Sequence, residues 1–228
     1  MKKILLGFIA IGLLKFVGCK KDEGNTITNS NNPIVANDAD GKTYASVIIG
    51  IQEWMTDNLR TIKYSDGISI PNVIGDAEWG NLSTGAWSNY DNDSQYETTY
   101  GKLYNWYAVE TGKLCPTSWH VLMDADWTVL TDCLGVNGHN GTEVVALKAT
   151  SGWSDGNGTD DYGFSGLPGG ACYSNGYFYV IGDSGGWWSS SEYDTLNAWG
   201  RSLGSGDDYV IRANESKGNG FSIRCLRD

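Results

Sequence analysis

The sequence predicts an α+β domain, and three observations carry that prediction. One clear helix signal stands mid-chain, over residues 124–134. Strand-like segments gather after it, from residue 187 onward. The composition, with 31 Gly, 10 Trp and 13 Tyr in 228 residues and only 19% charged residues, suits short strands joined by many turns rather than a helical bundle. The expected architecture is an antiparallel sheet with one or two helices and long turn-rich loops.

Taken in order, residues 44–49 are rich in β-branched side chains, and Gly50 turns them into residues 51–55 as an opening hairpin. Residues 65–100 are dominated by Gly, Asn, Asp, Ser and aromatics and read mostly as loop. Residues 101–108, with Leu103, Tyr104, Trp106 and Tyr107, fit a strand or a short helix. Asp124 is a good N-cap for a helix that runs to Leu134 and stops at Gly135. Trp127, Leu130 and Leu134 recur at helical spacing as its buried stripe, with Cys133 on the flank. A shorter helix fits residues 143–149. Strands are expected at 187–191, 198–203, 209–212 and 220–226; in the last, alternation puts Phe221, Ile223 and Cys225 on one face.

Residues 1–18 read as an export signal: Lys2 and Lys3, then an apolar run from Ile4 to Leu14 that is shorter than the roughly 20 residues of a membrane span. Gly18 followed by Cys19 resembles a lipobox, so Cys19 is the expected lipidation site. The alternative is an ordinary signal peptide with a cysteine after it. Lys20-Lys21-Asp22-Glu23 resembles the sorting signal of surface lipoproteins in Bacteroidetes-type bacteria, or is a solvated charge run. Residues 24–32 hold four Asn, two Thr and one Ser and cannot bury enough apolar surface to fold. The expected organisation is therefore a signal over 1–18, a lipidated cysteine and tether over 19–35, and one domain over 36–228. The expected address is the outer membrane, lipid-anchored and facing outward. The formal charge of −11, from 16 basic and 27 acidic residues, argues against a nucleic-acid partner. With only His120 and His139, a three-histidine metal site is impossible.

Several ordered motifs carry a resemblance. Asp38, Gly41 and Tyr44 lead to Gln52, Trp54 and Asn58; Tyr100-Gly101-Lys102-Leu103-Tyr104-Asn105-Trp106 follows. Then come Cys115-Pro116, Trp119-His120, Asp124 to Trp127, Tyr162-Gly163-Phe164-Ser165, Trp187-Trp188-Ser189-Ser190 and Gly220-Phe221-Ser222-Ile223-Arg224-Cys225. This series, over 38–228, resembles the Fibrobacter succinogenes major paralogous domain family, common on exported lipoproteins and largely uncharacterised in molecular function. A wider resemblance, carried by Trp127 within a helix and by the Gly-Phe-x-x-Arg-Cys strand, is to C-type-lectin-like and formylglycine-generating-enzyme folds. It implies a C-type-lectin-like domain whose two chain ends pair in a sheet. The chain lacks both the cysteine arrangement of that enzyme and the Glu-Pro-Asn or Gln-Pro-Asp sugar triplet, so the fold is implied but no activity.

With Cys19 lipidated, four cysteines remain for an oxidising compartment. Cys115 and Cys225 lie in motifs shared with the family, whereas Cys133 and Cys172 stand where the family has other residues. The resemblance thus implies bridges Cys115–Cys225 and Cys133–Cys172; a buried free thiol is the competing reading for Cys133.

For catalysis, Glu53, Asp124, Asp126, Asp160, Asp161 and Glu192 are the candidates for a glycosidase-type carboxylate pair, against the simpler reading of solvated acids and turn formers. No nucleophile elbow accompanies His120 or His139. Asp155, Asn157, Asp160 and Asp161 place oxygens along a Gly-rich loop that could ligate Ca²⁺, or bond their own backbone as an Asx-rich turn. No other cofactor is expected. Trp153, Tyr162, Tyr177, Tyr179 and Trp187 are the candidates for stacking on sugar rings. The leading expectation is a surface binding or adhesion module for a glycan or another envelope component. A polysaccharide hydrolase and a structural envelope protein are the alternatives.

Overall fold

The computed structural model describes residues 36–228; the expected signal, Cys19 and tether lie outside the described residues. The α+β class holds. Ala36–Asn37 (β1) pairs with Thr43–Tyr44 (β2), and Ser46–Ile49 (β3) with Gln52–Met55 (β4) as the opening hairpin around Gly50. Residues 65–100, expected as loop, hold Asp76–Gly80 (α1), Trp87–Ser88 (β5) and Glu97–Tyr100 (α2), all too short to leave a periodic pattern. Residues 101–108 adopt both alternatives in succession, Leu103–Asn105 (β6) and then Trp106–Glu110 (α3). Asn105 makes the switch, its Oδ1 accepting from the Ala108 N–H at 3.1 Å as the helix cap.

Trp119–Val121 (β7) leads into Asp124–Leu134 (α4), whose Trp127, Leu130 and Leu134 are fully buried as the spacing requires. The cap is Met123 rather than Asp124: Asp126 Oδ2 accepts from the Met123 N–H at 2.8 Å. Nor does Gly135 stop the helix. It keeps helical backbone at φ −58°, and the chain widens into a π turn before breaking at Gly138, φ 97°. Glu143–Leu147 (α5) follows. The remaining strands are Gly169–Cys172 (β8), Phe178–Ile181 (β9), Ser184–Glu192 (β10), Asn197–Gly204 (β11), Ile211–Ser216 (β12), Gly220–Phe221 (β13) and Cys225–Arg227 (β14).

The expected single sheet is two larger ones, with β1 and β2 as a separate pair. The larger runs β12-β11-β10-β8-β13-β6-β5, with β9 on β8. It is antiparallel except between β8 and β10, which are parallel at Gly170 and Gly185. The smaller runs β3-β4-β14-β7, so the early hairpin is closed by the late strand through Leu226 and Trp54. The expected strand at 220–226 is thus divided: β13 serves one sheet and β14 the other.

Among the described residues the core has three clusters. Tyr104, Trp188 and Ile223 anchor the first; Trp54, Trp127, Phe164 and Trp187 the second; Trp79, Tyr90 and Cys172 the third. Trp54 meets Trp127 edge-on at 5.5 Å between centroids. Between the sheets lies Arg224, only 1% exposed, whose guanidinium donates to the Met55, Phe164 and Ser165 carbonyls and to Asn58 Oδ1. Burial pulls its pKa down to about 10.

The Cys115–Cys225 bridge is present, with Cα atoms 6.0 Å apart. The expected Cys133–Cys172 bridge is not: Cys172 is a free, buried thiol. The reason is topological. Strand β8 turns Cys172 into the third cluster, whereas the flank of α4 that carries Cys133 packs on the second.

Candidate functional site: a tyrosine hairpin beside a small-residue groove

The five aromatic candidates divide by exposure. Trp187 is 0% exposed, and Trp153 and Tyr162 are each 6%. Their polar atoms turn inward or their faces are covered. Trp153 Nε1 donates to the Gly166 carbonyl at 3.1 Å beneath the Lys148 ammonium, and Tyr162 packs on His139. These three are core residues, which corrects the expectation that they face a ligand. Tyr177 and Tyr179 are 55% and 41% exposed.

The two exposed tyrosines belong to the β8–β9 hairpin, which turns at Asn175-Gly176. Tyr173 N–H donates to the Tyr177 carbonyl at 2.9 Å and Gly176 N–H to the Tyr173 carbonyl at 2.8 Å. Gly176 sits at φ 87°, where a Cβ would stand 2.3 Å from the Asp76 Cα, so only glycine fits. Strand alternation sends Cys172 and Phe178 inward to the third cluster and leaves Tyr173, Tyr177 and Tyr179 on the other face. Tyr173 and Tyr179 lie 5.1 Å apart, ring to ring.

That face borders a groove of about 90 Å³ across β8, β10, β11 and β12. Its floor is Gly186, Gly200, Ala213, Ser184 and Ser202, and its walls are Tyr173, Val180, Phe221 and Glu215. Register explains the floor: Gly186 is opposite Ser202, and Gly200 opposite Ala213. A Cβ on Gly200 would stand in ordinary van der Waals contact with the Trp187 carbonyl, Glu215 Cγ and Phe221 Cε2, at 3.5–3.7 Å. Val180 holds φ 59°, a left-handed conformation that β-branched residues rarely adopt. Glu215 is half-buried; burial raises its pKa, partly offset by a hydrogen bond from Asn219 Nδ2 at 3.1 Å.

The Ca²⁺ candidates are engaged elsewhere. Asn157 Oδ1 accepts from the Trp153 N–H, Asp160 from the Ser165 N–H and hydroxyl, and Asp161 lies 3.6 Å from His139 Nε2. Asp155 acts on Lys148 electrostatically. Among the described residues no three His, Cys, Asp or Glu side chains converge as metal ligands, so the expected loop site is corrected to an Asx-rich turn.

The six carboxylate candidates likewise do not converge on one cleft. Glu53 pairs with Arg227, Asp124 with Arg201 and Arg212, Glu192 with Lys217, and Asp126 caps α4 while facing His120 at 3.4 Å. Asp160 and Asp161 are held as above.

Sequence reasoning missed Tyr173, Glu215 and Asn219. Asn-Gly flanked by alternating tyrosines is a hairpin signal and could have given Tyr173. Glu215 left no signal, being one acid among many on an edge strand.

A model of the Fibrobacter succinogenes major domain matches residues 47–227. Comparison with curated proteins and with solved structures gives no match.

Proposed function

The chain belongs to the Fibrobacter succinogenes major domain family, and from that premise we propose that it is a surface-displayed module that binds glycans on its tyrosine hairpin. One observation carries the reading: Tyr173, Tyr177 and Tyr179 leave the core together on one face, each more than a third exposed, beside an open groove. Aromatic faces stack on the apolar faces of sugar rings, while Ser184, Ser202 and Glu215 supply partners for hydroxyls. The pairing of β14 with β4 and β7 supports reading the fold as C-type-lectin-like. Cys19 is the proposed lipid anchor, and Lys20-Lys21-Asp22-Glu23 the proposed signal for outward display at the outer membrane.

The binding test is a glycan array probed with the full chain in detergent. We expect selective retention that Tyr177→Ala and Tyr179→Ala each weaken at least fivefold without lowering Tm. Retention unaffected by both substitutions would reject the platform. For the anchor, Cys19→Ala should abolish labelling by a fatty-acid analogue and release the protein from the membrane fraction. Continued labelling would place the lipid elsewhere.

A further inference from the structure

Among the described residues, the groove beside the tyrosines holds one charged side chain without an ion pair: Arg201 in its lining is paired with Asp124, and Glu215 is not paired. Glu215 Oε2 accepts from Asn219 Nδ2, and Asn219 is itself buried and fixed by the Ser174 N–H on its Oδ1 at 2.9 Å. The carboxylate is therefore held in place rather than free to swing into solvent. Among the described residues no Lys, Arg or His pairs with it. Of the two cations at adjoining positions, Arg201 also lines the groove, but its guanidinium and that of Arg212 are both held by Asp124, at 2.6 and 2.9 Å. Ser184 and Ser202 also line the groove and make no side-chain hydrogen bond among the described residues.

A neutral sugar seated on this floor would take more water from Glu215 and return no charge, which is costly for a carboxylate. An ammonium group would give it a charge-assisted hydrogen bond, with the serine hydroxyls as further acceptors. The face of Tyr173 on the same wall adds cation–π attraction. We propose that the groove selects glycans carrying a free amino group, with the ammonium seated against Glu215. This proposal rests on the tyrosine hairpin being a glycan platform and adds the ligand class.

The test titrates the full chain in detergent with a glucosamine oligomer and with its N-acetylated counterpart. The free amine should bind at least tenfold tighter. Glu215→Gln should erase that preference by weakening the free amine at least tenfold, to the affinity of the N-acetylated oligomer. Asp132→Asn, which removes an equal charge on α4 outside the groove, should leave the preference intact, separating a specific contact from attraction to an acidic protein. Equal binding of the two oligomers by the unaltered protein overturns the proposal without any variant. So does a preference that survives Glu215→Gln, or one lost equally in Asp132→Asn. Equal binding that still depends on Tyr179 leaves the platform standing and removes the amine selectivity alone, whereas no binding of either oligomer overturns both.

Discussion

The indole Nε1 of Trp187 donates to Asn58 Oδ1 at 2.9 Å across 129 residues of chain. The same oxygen accepts from Arg224 Nε at 2.9 Å, and Asn58 Nδ2 donates to the Tyr100 carbonyl and Ser222 Oγ. One buried amide thus satisfies two buried donors and ties four segments together. Several of the sequence motifs shared with the family meet at this point. Their role there is structural: Asn58 joins the segments that hold the sheets in register.

Asn58→Leu removes the acceptor of both Trp187 and Arg224 in a dry interior. Each unpaired donor costs roughly 1–3 kcal/mol, so a loss of about 3 kcal/mol or more is expected by urea unfolding. A loss below about 1 kcal/mol would show that Asn58 is not the hub.

Core and platform aromatics should separate cleanly. Trp153→Ala and Trp187→Ala should each cost about 3–5 kcal/mol, whereas Tyr177→Ala and Tyr179→Ala should stay within about 1 kcal/mol. Thermal unfolding of the four variants side by side decides it.

The two ends of the cysteine chemistry differ as well. The Cys115–Cys225 bridge closes a loop of 110 residues, for which chain entropy gives about 4–5 kcal/mol; Cys115→Ser should lower stability by that order. Burial first, then Asp76, pushes the Cys172 thiol up to about 12. Peptide mapping after iodoacetamide treatment should therefore find Cys172 unmodified in the folded protein and alkylated after denaturation.

Acid should destabilise the domain. Burial alone would raise the pKa of Glu97 and Asp124, but hydrogen bonds from Lys102 and Lys42, and from Arg212 and Arg201, outweigh it and hold both below their ordinary values. A carboxylate depressed in the folded state stabilises above its unfolded pKa and loses that contribution as pH falls through the folded one. Tm should thus decline below about pH 4.5. Glu215, raised by burial, runs the other way and loses its contribution as pH rises through its folded value. A Tm that climbs on acidification below pH 4 would contradict the Asp124 and Glu97 pairings.

Local signals made much of this fold legible. The α4 stripe, the β3–β4 hairpin and the inward Phe221–Ile223–Cys225 set each follow from side-chain periodicity in one segment. What failed depended on distant partners. At α4 the Asp124 carboxylate is held by Arg201 and Arg212, and the cap falls to Met123, whose N–H donates to Asp126. The fate of Cys172 turned on which cluster β8 faces. Trp187 was indistinguishable from a surface tryptophan until Asn58 lay beside it. Of the proposed platform, Tyr177 and Tyr179 stand out in the sequence as turn-rich aromatics, while the groove is made by register among four strands.

The division of residues 220–227 between two sheets also bears on how fast the protein can fold. Arg224 reaches the Met55 carbonyl across 169 residues, and between β13 and β14 the Ser222 N–H and carbonyl pair with Gly186 and Trp188. Neither sheet can be completed by neighbours in sequence, so the folding nucleus must wait on a search through most of the chain. Such high contact order places folding in roughly the millisecond-to-second range. Once closed, the same stitch must rupture before either sheet can peel, so unfolding becomes the slow step that sets how long the domain survives protease attack.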